Sequence, residues 1–271
     1  MKKLSILFIF IGLSFAFMSL NPQKDYSVTP AEFGVAYRDM SFTTKDGLNL
    51  KAWYFTPEKT SGTVVILSHD GSGNMASMIE MASYFTSAGY NVMTYDYRGF
   101  GGSDDFKINN SFVVYPQFAQ DLDAAVDHVQ KMYGVTRVFL YGKGMGAALS
   151  IGVAASRRDV QKAIADSPWD ELNNYQKLMK DIKKEDVMIP LAYDKQLLEP
   201  QFALAGKYAS TSRYLLINGA DDQVFTTKMM KQLAKVNSNN VEVATIKKAD
   251  YSTTFSSDKN AYFEVIKNFI R

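Results

Sequence analysis

Length and composition suit one α/β domain with a sizeable core and exclude several other classes of protein. The 271 residues are 46% hydrophobic and 21% charged with both signs mixed, which argues against disorder. The chain has no cysteine, so it contains no disulfide, thiol nucleophile or thiolate metal site. Its formal net charge is only +2, so we expect no nucleic-acid partner.

Residues 1–20 are predicted to be a signal peptide or a membrane anchor. Two lysines precede an apolar run at 4–13, and a small-x-small pattern that ends at Ala16 marks the expected cleavage site. The alternative is an uncleaved anchor, because the 17 residues from 4 to 20 are at the short limit of a spanning helix. The protein is therefore expected to be exported, either periplasmic or secreted. It would contact a membrane only through this segment, if the segment stays uncleaved.

After a lead-in segment at 21–36, strand and helix signals alternate along a domain expected to cover 37–271. The turn signal Asp46-Gly47 predicts a hairpin, and the apolar run TVVILS at 63–68 is typical of a buried central strand. Strands are predicted at 38–44, 48–56, 63–68, 91–97, 137–141, 160–165, 213–218 and 241–246, and helices at 75–88, 117–132, 144–155, 225–236 and around 262–269. This order predicts an α/β fold with a mostly parallel central sheet and helices on both faces.

Residues 169–210 interrupt the alternation. About forty residues separate two strands here, which is too long for a simple connection in a compact domain. The segment contains Pro190, Pro200 and a helical stretch at 171–181. We expect it to form a small cap over the functional site.

The predicted strand at 137–141 leads into Gly142-Lys143-Gly144-Met145-Gly146 and then a helix. This is the context of a G-x-S-x-G nucleophile elbow, with glycine in place of the central serine. The turn is so tight that side chains at Gly142 and Gly146 would collide with neighbouring backbone. The central residue is usually held at positive φ, which glycine adopts without steric cost. Gly144 therefore preserves the turn and removes the nucleophile.

Five stretches of the chain carry distinctive motifs: TPAEFGVAYRDMSFTTKDGLNLKAWYFTP from position 29, LSHDGSGN at 67–74, YDYRGFGGSD at 95–104, YGKGMG at 141–146 and LLINGADDQVF at 215–225. Together they resemble the serine-hydrolase branch of the α/β-hydrolase superfamily, with an S33-aminopeptidase-like or lipase-like core. They occur in the family's order and cover most of the chain. The resemblance implies the α/β-hydrolase fold and the chain order nucleophile, acid, base.

The resemblance also assigns each catalytic position to one residue of this chain. The nucleophile position falls on Gly144, and the acid falls on Asp222, with Asp221 as the less favoured choice. Aligning KKADYSTTF at 247–255 with the family's histidine loop puts Tyr251 at the histidine position, within one or two residues. No histidine follows His128, so shifting the alignment supplies no base.

The same resemblance places the oxyanion hole at the backbone N–H groups of Gly71 and Met145. These groups need no particular side chain, so the hole is expected to persist. Asp70 stands where the family often has glycine, and a carboxylate facing the hole would oppose developing negative charge.

Other candidates for chemistry are weaker. Ser72 and Ser150 lie away from the elbow tip, and neither has an obvious basic partner. His69 is expected to pack and hydrogen-bond beneath the oxyanion loop, and Lys143 to be a loop lysine in solvent. The pair Asp104-Asp105 lacks further ligands at metal-binding spacing, so we expect no metal and no cofactor.

Three functions remain open at this stage. The first is an exported pseudoenzyme that has lost serine-hydrolase catalysis and binds a small molecule, peptide or partner in the remnant pocket. The second is an active hydrolase of ester, thioester or peptide bonds with a non-standard nucleophile. The third is a structural or interaction domain of the cell envelope. An open pocket favours the first function, and a filled pocket favours the third.

Overall fold

The computed structural model describes residues 19–132 and 134–271. The predicted signal or anchor segment therefore lies outside the described residues, except for its last two positions. Among the residues described, no helix is long and apolar enough to cross a membrane.

Eight strands form one central sheet. They are β1 (Arg38–Thr43), β2 (Asn49–Phe55), β3 (Thr63–Ser68), β4 (Asn91–Tyr95), β5 (Arg137–Lys143), β6 (Val160–Asp166), β7 (Arg213–Gly219) and β8 (Val241–Ile246). Their order across the sheet is β8-β7-β6-β5-β3-β4-β2-β1. Only β2 runs antiparallel to its neighbours, so the mostly parallel sheet expected from the sequence is confirmed.

Helices cover both faces of the sheet. They are α1 (Ile79–Ser87), α2 (Gln117–Gln130), α3 (Met145–Ser156), α4 (Leu172–Leu178), α5 (Lys195–Leu198), α6 (Pro200–Leu204), α7 (Thr227–Ala234) and α8 (Lys259–Ile270). Strand β3 shows why two layers are needed. Val64 and Ile66 pack into the core with α2 and α3, while Val65 and Leu67 pack into the core with α1 and α8.

The predicted cap region divides into two parts. Helices α5 and α6 pack beside α3, so closely that a Cβ at Gly152 would overlap the carbonyl of Leu197. Helix α4 instead places Tyr175 in a stack with Phe225, 5.7 Å between ring centroids, in the loop after β7. The α4 part therefore reaches the carboxyl ends of the strands, where the sequence placed the site.

Candidate functional site

The elbow joins β5 to α3 at Gly144. The residue has φ 54° and ψ −115°, and its N–H donates to the carbonyl of Asp166 at 2.8 Å. A Cβ at Gly142 would overlap the carbonyl of Gly146, and one at Gly146 would overlap the carbonyl of Ser68. The structure therefore contains the tight turn that the glycine spacing predicts.

The space that a serine side chain would need at the elbow is occupied by Tyr251. A Cβ built on Gly144 would overlap the Tyr251 hydroxyl oxygen and would lie 3.2 Å from Cβ of Asp70. The Tyr251 hydroxyl donates a hydrogen bond to Oδ2 of Asp70 at 2.9 Å. Positions 144 and 251 thus meet in space, with a phenol at the meeting point in place of a serine and a histidine.

The surroundings of Tyr251 keep its phenol neutral. Burial raises its pKa, and the nearby negative charge of Asp70 raises the pKa further. The ring packs against Phe225 at a centroid distance of 5.3 Å, and Nζ of Lys143 lies 5.0 Å from the ring centroid. Lys143 was expected to be a loop lysine in solvent, but it is partly buried over this ring, where a cation is attracted to the aromatic face.

The remnant acid Asp222 caps its own loop. Its Oδ1 accepts the N–H groups of Val224 and Phe225, each at 2.8 Å. Its Oδ2 is buried and has no hydrogen-bond partner among the described residues. Burial raises the pKa of this carboxyl. Asp221 is exposed, so Asp222 is the inward-facing member of the pair.

The expected oxyanion hole is altered on one side. The N–H of Gly71 donates to Nδ1 of His69 at 3.2 Å, so it is already engaged. A Cβ at Gly71 would lie 2.7 Å from Cδ2 of Leu20 and 3.2 Å from Cε of Met145. The Gly71 amide expected to serve the hole is therefore already bound to His69, and Leu20 packs beside the Gly71 backbone. The N–H of Met145 is in the first turn of α3, where amides lack a partner within the helix.

Asp70 faces the elbow. Its Oδ1 accepts the N–H of Ser72 at 2.9 Å, and its Oδ2 accepts the Tyr251 hydroxyl. The carboxylate that the sequence placed near the hole is therefore fixed toward Gly144, where it would oppose an incoming negative charge.

His69 has the structural role expected of it. It is fully buried, and its ring packs against Tyr97 at 4.7 Å and Phe100 at 5.1 Å between centroids. Burial lowers its pKa to about 3, so the ring is neutral at pH 7. The Ser150 hydroxyl is buried and donates to the carbonyl of Gly146 at 2.7 Å. Neither side chain replaces the missing nucleophile or base.

A buried carboxylate that sequence reasoning missed connects the elbow to the Tyr251 loop (residues 247–258). Oδ2 of Asp166 accepts the Thr254 hydroxyl at 2.7 Å and the Tyr262 hydroxyl at 2.9 Å. Its own carbonyl accepts the Gly144 N–H. The only signal in the sequence is an aspartate at the end of a buried strand, which is a position where side chains reach the site of a parallel sheet.

The lead-in segment is built into the site. Residues 20–26, which we call the strap, lie along the oxyanion loop. The N–H of Asn21 donates to the carbonyl of Gly71 at 2.8 Å, and that of Gln23 donates to the carbonyl of Gly73 at 3.0 Å. Leu20 is only 1% exposed. The sequence indicated only a lead-in segment here, but backbone pairing and the buried Leu20 fix its first residues on the domain.

The far end of the strap is fixed by a buried carboxylate. The Tyr26 hydroxyl donates to Oδ2 of Asp96 at 2.5 Å, and the Met75 N–H donates to Oδ1 at 2.8 Å. Burial raises the pKa of Asp96 to about 6. The strap is therefore anchored on the loop after β4 as well as on the oxyanion loop.

The aspartates that end and follow the glycine-rich stretch YDYRGFGGSD make contacts that hold this loop in place. Oδ2 of Asp104 accepts the N–H of Asn49 at 2.8 Å, and Asp105 pairs with Lys24 at 2.8 Å. Within the part of the chain that the structure describes, no three histidine, aspartate or glutamate side chains are grouped as metal ligands.

The fold and the site together define an α/β hydrolase by architecture. A family model described as "Serine aminopeptidase, S33" matches residues 59–198, just over half of the chain, so the chain belongs to this family. The matched region includes the elbow and ends before Asp222 and Tyr251. The family expected from the sequence motifs is thereby confirmed.

Relatives and solved structures agree on the fold. The chain is 23% identical over 255 residues to the uncharacterized membrane protein YNL320W of Saccharomyces cerevisiae, covering 91% of this chain and 84% of that protein. It is 25% identical to the uncharacterized protein YfhR of Salmonella typhi, covering 100% and 94%. The Pyrococcus furiosus esterase Pf2001 superposes with a TM-score of 0.75 at 21% identity, covering 92% and 98%, which shows a shared fold alone.

Proposed function

We propose that this chain is a pseudoenzyme, an α/β-hydrolase-fold protein that has lost serine-hydrolase catalysis and acts as an interaction domain of the cell envelope. One observation carries the proposal: the Tyr251 hydroxyl occupies the space of the missing nucleophile and is bound to Asp70. The remnant site is thus filled by the protein's own side chains. A filled site favours an interaction domain over a domain that binds a ligand at the elbow.

The chemistry of the site supports the loss of catalysis. Serine hydrolysis needs a nucleophile, a base that takes its proton, and donors for the oxyanion. Gly144 supplies no nucleophile and Tyr251 no base. Without the triad, the oxyanion hole and substrate binding would still supply a rate enhancement of roughly a thousand to ten thousand fold over water. Here the Gly71 amide is engaged by His69, and Leu20 packs beside the Gly71 backbone, so less than that is expected.

A non-standard nucleophile finds little support among the described residues. The Ser150 hydroxyl is buried within its own helix. Tyr251 is at the right place, but its raised pKa keeps it protonated, and a protonated phenol is a poor nucleophile. Asp70 accepts its hydrogen bond without removing the proton.

Ligand binding in the remnant pocket is the second candidate function, and one unpaired carboxylate oxygen favours it. The buried Oδ2 of Asp222 lacks a partner among the described residues, and an unpaired buried carboxylate oxygen is costly. A small molecule or peptide that donates a hydrogen bond there would relieve that cost. It would have to enter beside the aromatic pair of Phe225 and Tyr251.

Export is part of the same proposal. The apolar residues before Ser19 support it, and the S. cerevisiae relative, matched over 91% of this chain, has "membrane protein" in its name. We propose that the domain lies outside the cytoplasmic membrane, either released or held by its N-terminal segment.

The test is covalent labelling of the purified protein with a serine-reactive fluorophosphonate, beside turnover of short-chain aryl esters. A serine esterase serves as the positive control. We expect neither labelling nor turnover above that of the heat-unfolded protein. Labelling that disappears in Ser72→Ala or Ser150→Ala would show an active hydrolase and overturn the proposal.

A further inference from the structure

The cap exposes two large apolar side chains close together in the sequence. Met188 is 44% exposed and Leu191 is fully exposed. They flank Pro190 in the loop between α4 and α5. Single exposed apolar residues are normal on a soluble protein, but two large ones only three positions apart in one loop point to a contact surface.

The backbone places this loop beside the start of the strap. The N–H of Leu20 donates to the carbonyl of Phe112 at 3.0 Å. On the neighbouring stretch, the N–H of Met188 donates to the carbonyl of Ser111 at 2.7 Å, and the N–H of Val113 donates to the carbonyl of Met188 at 3.0 Å. Strands paired in this way lie about 4.8 Å apart, so Met188 lies on the order of 10 Å from Leu20.

The chain that enters at Leu20 is apolar. The 17 residues from 4 to 20 contain no charged side chain. As a helix they would be about 26 Å long, which approaches the roughly 30 Å hydrocarbon core of a bilayer. A bilayer spanned by this segment would have its surface at Ser19, directly beside the exposed loop.

We propose that the N-terminal segment is retained as an anchor and that the cap loop carrying Met188 and Leu191 rests in the lipid interface. The proposal rests on the proposed export, and it adds that the carboxyl edge of the sheet, with the filled elbow, faces the membrane. The two apolar side chains enter the headgroup layer. The strap fixes the end of the anchor on the domain by pairing with Gly71 and Gly73, and the stretch at 111–113 hydrogen-bonds to both Leu20 and Met188.

The charges around the loop select the kind of lipid. Residues 180–194 carry three lysines and four carboxylates, so this surface has no net positive charge. Anionic headgroups therefore offer it no advantage, and apolar burial drives the contact. Neutral phosphatidylcholine is accordingly a sufficient partner.

The absence of cysteine allows a clean test with single introduced cysteines. The full chain is reconstituted in phosphatidylcholine vesicles after Leu191→Cys is labelled with an environment-sensitive fluorophore. The matched control is Lys59→Cys, an exposed site before β3 and thus at the opposite edge of the sheet. Lipids with a spin label near the headgroup should quench the probe at 191 at least threefold more than the probe at 59.

Any of the following results of the vesicle experiment would overturn the proposal. Equal quenching at the two sites would show that the cap loop does not touch lipid. A probe at 191 that is shielded from aqueous iodide but not quenched by lipid would show that the N-terminal segment or a second protein covers it. Quenching that requires anionic lipid would contradict an apolar contact, and a chain that does not co-float with vesicles would show that no anchor is retained. None of these results bears on the ester and labelling assays, which test the loss of catalysis separately.

Discussion

The elbow and the Tyr251 loop meet at one point, and they depart from a working hydrolase in opposite ways. The elbow has the complete backbone of a nucleophile turn, including the positive φ of Gly144 and the close approach of Gly142 to Gly146, and lacks only a side chain. The Tyr251 loop has a large side chain at the right place, but of the wrong chemistry. The backbone of the turn supports the packing of α3 against the sheet, whereas a serine hydroxyl supports only the reaction. Shape and chemistry are therefore separable at this site.

The largest expected effect is on the backbone of the elbow. Gly142→Ala would push a Cβ into the carbonyl of Gly146, where neither group is a flexible side chain. We expect the free energy of unfolding to fall by about 4 kcal/mol or more, or the protein not to fold. Urea denaturation followed by circular dichroism measures the change. In the control Gly34→Ala, no atom lies within 4 Å of the added Cβ, so only the strain of φ +65° is expected, about 1 kcal/mol. Equal losses in the two variants would show that the turn is looser than its geometry indicates.

The next largest effect is on the link between the two regions. Asp166→Ala removes the carboxylate oxygen Oδ2, which accepts the hydroxyl groups of both Thr254 and Tyr262. We expect a loss of about 3 kcal/mol, because buried donors would be left unpaired. We also expect faster cleavage by trypsin at Lys247 or Lys248 as the loop loosens. The exposed Glu58→Gln is the control and should change neither measurement. A stable Asp166→Ala variant with an intact loop would contradict the proposed link.

Restoring the serine tests whether Tyr251 fills the site. Gly144→Ser alone combines a positive φ with an overlap against the Tyr251 hydroxyl, so we expect a loss of about 2 kcal/mol and no fluorophosphonate labelling. Combining it with Tyr251→His removes the hydroxyl that overlaps the added side chain and supplies a base at position 251. This double variant should recover about half of the lost stability and become weakly labelled. A folded double variant that stays unlabelled would show that the covered oxyanion loop alone prevents the reaction.

The sequence predicted the framework of this site better than its contents. The strands along the chain and the elbow followed from patterns that backbone geometry imposes, and the family resemblance implied that positions 144 and 251 belong to one site. The engagement of the Gly71 amide and the cover supplied by Leu20 did not follow, because they depend on side chains far apart in the sequence. No local pattern marks a strap whose hydrogen bonds are made to a loop about fifty residues later.

The smallest expected effect isolates the hydrogen bond between the two regions. Tyr251→Phe removes only the donor to Asp70, which is partly exposed and regains water, so we expect a loss of about 1 kcal/mol. Tyr262→Phe is the comparison, because its hydroxyl donates to Asp166, which is fully buried and cannot be rehydrated, and is also hydrogen-bonded to the buried Tyr141 hydroxyl. Urea denaturation of the two variants should therefore show a loss at least twice as large for Tyr262→Phe. If Tyr251→Phe lowered the free energy of unfolding more than Tyr262→Phe, the hydrogen bond to Asp70 would be the main contact that holds the loop in place. The side chains that fill the elbow would then serve stability more than they mark a lost active site.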